Sequence, residues 1–290
     1  MNDQPPISRR EFTALSVAAG LSAAAGAGRA QAAEVGDSDV QVKTPSGLCD
    51  AALVHPKGRG SWPAAILFPD AFGLRPTMRD MAKRLAQDGY TVLVPNPYYR
   101  STKAPGVGPA QEFDFKSPTD RAKITALRAP LTSDAVMQDA AAYIAFLDSL
   151  PAVNKKAKIG VFGYCMGGAM TMQAAAAVPN RVGAGASFHG GGLVTDKPDS
   201  PHLLVSKIKA QYYFGIAEND DAQQPEAKTK LREAFGNAGL TANIEVYDGC
   251  LHGWCVKDMP NSPEGKPLYN AAQAERAWNE LVTLFKRAAV

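Results

Sequence analysis

The chain has no long apolar run outside its N-terminus, no block of lysine or arginine, no internal repeat, and four cysteines in 290 residues. Each absence excludes something. A membrane-spanning helix needs about 20 consecutive apolar residues, and the body of the chain offers none. Net charge is +3 with both signs interspersed. No basic stripe therefore marks a nucleic-acid or membrane-surface partner. Without a repeat, a heptad or a low-complexity tract, solenoids, coiled coils and disordered arms drop out. The fragment Cys250-Leu251-His252 lacks a second pair at zinc spacing, which argues against a metal site. What remains fits one α/β domain preceded by an N-terminal extension.

That extension carries a twin arginine in Ser8-Arg9-Arg10-Glu11-Phe12, then a weakly apolar Ala/Gly-rich stretch from Leu15 to Gly28. Arg29 and the small-x-small sequence Ala30-Gln31-Ala32 close it. The pattern resembles a twin-arginine (Tat) export signal cut near Ala32. It predicts a signal over residues 1–32 and a mature domain over 33–290. The Tat translocase would deliver the folded protein to the periplasm, with no other membrane involvement.

The mature chain alternates strand and helix. A strand or hairpin is expected between Val40 and Val54, and strands at Ala64–Phe68 and Tyr90–Val94. Helices are expected from about Thr77 to Asp88, from a Ser133-Asp134 cap to Leu150, over Glu226–Asn237 and over Asn270–Ala288. The long polar segment 101–133, with Pro105, Pro109, Pro118 and Pro130, reads as a lid or binding loop with some helix of its own.

Gly163-Tyr164-Cys165-Met166-Gly167 is the most informative stretch. It follows the apolar run Lys158–Phe162 and precedes an Ala/Met-rich helix from Gly168 to Val178. Strand, Gly-x-nucleophile-x-Gly and helix describe a nucleophile elbow, here with cysteine as the nucleophile. A side chain at the tip of so tight a turn needs small neighbours. The pattern alone also fits a glycine-rich turn with a buried structural cysteine. An acyl-transfer site further needs an acid and a histidine, in that order after the nucleophile. The aromatic strand Ala210–Gly215 empties into Ala217-Glu218-Asn219-Asp220-Asp221, and Asn243–Tyr247 runs into Asp248-Gly249-Cys250-Leu251-His252-Gly253-Trp254.

Together these stretches resemble the dienelactone hydrolases (carboxymethylenebutenolidases), cysteine-nucleophile members of the α/β-hydrolase fold. The resemblance runs from about Val40 to the C-terminus. Its marks are the Gly-Tyr-Cys-Met-Gly-Gly elbow, Pro69-Asp70-Ala71-Phe72-Gly73-Leu74 and the His252 turn. It implies a three-layer sandwich with a mostly parallel central sheet flanked by helices. It also implies a Cys165–His252–Asp220 triad, with Asp221 as the neighbouring competitor for the acid. The second oxyanion donor after Met166 would be the Ala71 N–H. Asp70 falls where family members carry a glutamate that contacts the thiol, although aspartate at a strand end also caps turns. The family holds a substrate carboxylate with two arginines. Arg100, in Pro95-Asn96-Pro97-Tyr98-Tyr99-Arg100, stands where one is expected, and Lys257 lies one residue out of register with the other.

The resemblance implies a small-molecule ester or lactone as substrate and chemistry that needs no cofactor. A non-catalytic fold that binds a small ligand is the alternative, and thiol reactivity of Cys165 separates the two. A redox protein would need a resolving cysteine near Cys165. Cys250 and Cys255 are close enough in sequence to bridge or to stay thiols. His189, in Phe188-His189-Gly190-Gly191-Gly192, is expected at a strand end near the pocket rim. Gly106-Val107-Gly108 is too little for a dinucleotide fingerprint.

Overall fold

The computed structural model of the chain describes residues 33–262 and 264–290; the expected export signal over 1–32 lies outside the described residues. An antiparallel hairpin of β1 (Val35–Thr44) and β2 (Gly47–Pro56) opens the domain. There follow β3 (Ala64–Phe68), β4 (Thr91–Pro95), β5 (Ile159–Tyr164), β6 (Val182–Phe188), β7 (Gln211–Ala217) and β8 (Ala242–Tyr247). They form one sheet in the order β1-β2-β4-β3-β5-β6-β7-β8. Strand β2 runs antiparallel to β4, and every pairing from β4 through β8 is parallel. Strands β3, β4 and β5 are buried along their whole length. Their unbroken apolar sequences follow from this, because both faces of a central parallel sheet are covered by helices.

Helices α1 (Pro76–Gln87) and α7 (Ala271–Arg287) pack on one face. Helices α3 (Ser133–Ser149), α4 (Met166–Ala177) and α6 (Ala227–Asn237) pack on the other. The result is the three-layer α/β-hydrolase sandwich. Local chemistry sets the helix ends. Pro76 occupies the first turn of α1, where its missing N–H costs nothing. The Asn270 side chain accepts from the Gln273 N–H and caps α7. The cap of α3 is Thr132, whose hydroxyl accepts from the Ala135 N–H, one residue earlier than the sequence suggested.

The segment 101–133 contains a short 3-10 helix at Ala110–Glu112 and an α-helix, α2 (Pro118–Arg128). Phe113 and Phe115 pack edge-on against Phe72 in the loop after β3, which ties the segment to the carboxyl end of the sheet. The stretch after β7 is a short helix, α5 (Glu218–Gln223), where the sequence suggested a loop. Cys165 follows β5, Asp220 follows β7 and His252 follows β8. Parallel order delivers all three side chains to one edge, where open α/β sheets bind ligands.

Candidate active site

Cys165 sits between β5 and α4 with φ 53° and ψ −120°, a conformation that non-glycine residues rarely adopt. Both of its own backbone polar groups are engaged. Its N–H donates to the Phe188 carbonyl, and its own carbonyl accepts from the N–H groups of Gly168 and Gly191. Such over-determination lets a strained residue persist. The flanking glycines are steric necessities. A Cβ at Gly163 would lie 2.3 Å from the Gly167 carbonyl oxygen, and one at Gly167 would lie 2.2 Å from that of Phe68. In both cases the obstacle is backbone.

Three neighbouring residues of the acid segment hold the histidine loop. Glu218 accepts from the Gly249 N–H, Asn219 Oδ1 accepts from the His252 N–H at 2.8 Å, and Asp220 Oδ2 accepts from His252 Nδ1 at 2.7 Å. Asp221 points elsewhere and pairs with Lys228 at 2.6 Å. Sequence reasoning singled out Asp220 and gave no role to Glu218 or Asn219; their signal was only adjacency to the acid. Burial disfavours a charged His252, but its hydrogen bond to Asp220 and the Cys165 thiol beside it outweigh that and push it up to about 10. An imidazolium next to a thiol is the electrostatic partner a thiolate needs.

The sign of the linked stability follows. In the fold His252 keeps its proton up to about pH 10, against 6.5 ordinarily. Its contribution is therefore complete below pH 6.5 and lost as the pH climbs through 10. The urea midpoint is expected to fall across that window, and to fall less in a His252→Gln variant. Equal slopes would show that the ring is not held protonated.

Two backbone N–H groups, one after Cys165 and one in the loop after β3, have no partner among the described residues. Met166 is the first residue of α4, and its N–H has no partner among the described residues. The Ala71 N–H is likewise unengaged among them. Its peptide is fixed by the turn in which the Gly73 N–H donates to the Asp70 carbonyl. The following peptide is clamped at both ends, with the Ala71 carbonyl accepting from the Tyr98 hydroxyl at 2.8 Å and the Phe72 N–H donating to Asp70 Oδ1 at 2.9 Å.

Three expectations need correcting. Asp70 does not address the thiol. It is 1% exposed and caps its own turn, and both carboxylate oxygens accept from the Arg75 guanidinium at 2.7 and 2.9 Å. Arg75 also grips Asp258 at 2.7 and 2.8 Å, so one buried arginine joins the oxyanion loop to the chain beyond His252. Arg100 is not presented to a substrate, because both its amino groups donate to Asp139 at 2.7 and 2.9 Å and its guanidinium stacks on Tyr99. Lys257 lines a cavity together with Tyr164 and Trp278, on the α1/α7 side of the sheet, whereas Cys165 packs on the α3/α4 side.

His189 is the third. It lies at the end of β6 but is fully buried, not at a rim. Its ring meets His252 edge-on at 4.8 Å and Trp254 at 5.3 Å. Burial, then the neighbouring His252, holds its pKa well below the usual histidine value, so it stays neutral. All four cysteines are free thiols, so Cys250 and Cys255 do not bridge.

The Arg100 pairing carries a prediction. Asp139 is 4% exposed, and stripping a buried carboxylate of its partner costs about 3–5 kcal/mol. Arg100→Ala is expected to lower the urea midpoint accordingly while leaving the ratio of dienelactone to 4-nitrophenyl acetate turnover unchanged. A selective loss of dienelactone turnover would restore Arg100 to the substrate.

Comparison with known proteins agrees with this architecture. The dienelactone hydrolase family model matches residues 49–289. A Synechocystis sp. protein provisionally named carboxymethylenebutenolidase is 29% identical over 240 residues, covering 81% of this chain and 89% of its own. A similarly named Methylorubrum extorquens protein is 27% identical over 296 residues, covering 98% and 94%. A Klebsiella pneumoniae crystal structure, provisionally named a dienelactone hydrolase, superposes with a TM-score of 0.72 at 20% identity, over 88% of this chain and 99% of that one. With its elbow, its sheet order and a family match over nearly the whole described domain, the chain belongs to the dienelactone hydrolase family of ester and lactone hydrolases.

Proposed function

We propose that the protein is an exported cysteine hydrolase that cleaves an ester or lactone through a thioester on Cys165. The observation that carries the reading is the strained Cys165 at the start of α4, beside a His252 pinned to Asp220 at 2.7 Å. The Cys165 proton resides on His252 when the thiolate sulfur bonds to the substrate carbonyl carbon. The oxyanion rests on the N–H groups of Met166 and Ala71, each such donor contributing about 3 kcal/mol. Collapse expels an alcohol or enol, which receives the proton from His252. Water then attacks the thioester with His252 as base, the acid departs and the thiol is restored. The proton balance closes on His252 alone.

A cavity of about 550 Å³ beside Met166, lined by Leu131, Met170 and Gly191, offers room for the acyl part. Since Arg100 and Lys257 face elsewhere, the reading stays with esters and lactones in general and does not require a substrate carboxylate. Export rests on the twin arginine and the small-x-small site. Replacing Arg9 and Arg10 by lysine is expected to leave the precursor in the cytoplasmic fraction; unchanged periplasmic delivery would remove Tat from the proposal.

The test is to mix the protein with 4-nitrophenyl acetate, quench in acid within a turnover, and map acetyl groups by peptide mass spectrometry. Acetyl on Cys165 with release of nitrophenolate supports the thioester route. Turnover with no adduct, or with the adduct on another residue, overturns it. Folded, reduced protein that gives neither would have the ligand-binding role instead.

A further inference from the structure

On the α1/α7 side of the sheet lies a cavity of about 510 Å³ that the hydrolytic mechanism does not use. Tyr164, Phe188, Tyr269 and Trp278 supply aromatic surface, and Arg84 and Lys257 supply cationic groups. Cavities of about 300–1,000 Å³ with this mix of apolar wall and few polar groups are typical of small-molecule sites. It is not the nucleophile's pocket. Tyr164 precedes Cys165, but strand alternation sends its ring to the opposite face. The ring stacks on Phe188 and belongs to the same core cluster as Cys255 and Trp278, whereas Cys165 packs with the α3/α4 core.

Tyr164 gives the second observation. The residue is 2% exposed, yet its hydroxyl makes no hydrogen bond to any described residue. The oxygen is nonetheless reached by solvent, unlike sealed unpartnered atoms such as Trp254 Nε1, so the hydroxyl opens on the cavity it lines. Its hydroxyl end lies toward Cys255 and Arg84, both of which line the cavity, and burial raises its pKa far above the usual range. It is therefore a neutral donor facing the cavity. The charges then decide the sign of the occupant. Arg84 is neutralised by Glu275 at 2.7 Å while stacking on Trp278, and Asp80 pairs with Lys83 at 3.3 Å. Lys257 has no ion-pair partner among the described residues, so the cavity carries one uncompensated positive charge.

We propose that this cavity is a second small-molecule site that takes a planar aromatic anion. The rings of Tyr164, Phe188 and Trp278 surround its plane, and its anionic group accepts from Lys257 and the Tyr164 hydroxyl. The site stands independently of the hydrolytic reading, since none of the triad residues lines it.

The test is calorimetric titration of 2-naphthoate into the full chain. One saturable site per chain is expected, retained after Cys165 is alkylated with iodoacetamide. Lys257→Ala should weaken binding about tenfold, and 2-naphthalenemethanol, which lacks the charge, should bind at least as weakly to the unaltered protein. Tyr164→Phe should weaken binding several-fold without lowering the melting temperature, because the hydroxyl it removes has no protein partner. Ala274→Phe, which fills the cavity mouth, should abolish binding in protein shown by its melting curve to be folded. Absence of saturable binding, its loss on alkylation of Cys165, or affinities unmoved by Lys257→Ala and Tyr164→Phe would each overturn the proposal.

Discussion

Cys165→Ala is expected to reduce turnover of 4-nitrophenyl acetate about a million-fold while the protein still folds. The magnitude follows from removing the atom that carries the acyl group, after which only oxyanion donors and binding remain, worth roughly a thousand-fold over water. Folding is retained because alanine is no bulkier than cysteine at φ 53° and the backbone hydrogen bonds that hold the elbow involve no side chain. Cys165→Ser should also lose most activity, since a hydroxyl beside the same histidine is far harder to ionise than a thiol. The measurement is initial rate against melting temperature for each variant. A folded Cys165→Ala enzyme within tenfold of the original would put the nucleophile elsewhere.

The second large effect separates two adjacent carboxylates. Asp220→Asn should lower kcat about ten-thousand-fold, because asparagine can no longer hold His252 in the tautomer that accepts the thiol proton. Asp221→Asn should stay within about threefold, since Asp221 pairs with Lys228 and not with the histidine. That pair is partly exposed, with side chains 19% and 29% accessible, and such pairs are typically worth about 1 kcal/mol or less. A further readout guards against a merely structural reading. Asp220 is the main cause raising His252, so Asp220→Asn should also flatten the loss of stability between pH 6.5 and 10. If Asp221→Asn proves the more damaging, the acid has been misassigned whatever the hydrogen-bond geometry.

Arg75 shows that the proposed oxyanion donors would depend on more than their own peptides. It binds Asp70 and Asp258 at once, from a 4% exposed position. Three charges share a buried site, and their mutual hydrogen bonds are what make it tolerable. The carboxylate that the resemblance placed against the thiol is instead part of this brace. A one-methylene-shorter side chain with an arginine five residues on finds its partner locally.

Much of the site was legible in the chain because its requirements are local. A Gly-x-Cys-x-Gly turn between an apolar strand and an Ala-rich helix has one steric solution, and backbone atoms 2.2–2.3 Å from the would-be Cβ atoms enforce it. The strand-then-loop placement of Asp220 and His252 could be read for the same reason, as could the alternation of strand and helix, since the period of apolar residues is set by each element's own geometry; the three-layer sandwich was what the family resemblance implied. Partner choice was not legible. Whether Asp220 or Asp221 meets the histidine depends on how α5 turns its side chains. Whether Arg100 is available depends on Asp139, 39 residues away on α3. That His189 lies buried against His252, and not at a rim, depends on where β6 and β8 end relative to one another. The elements, their order and the residue types that reach the carboxyl edge of the sheet were readable from the chain alone, because they follow from short-range sterics and burial. Which charges pair and which remain for chemistry emerges from the folded packing, because hydrogen bonds and ion pairs act over a few ångströms between segments that the chain places far apart.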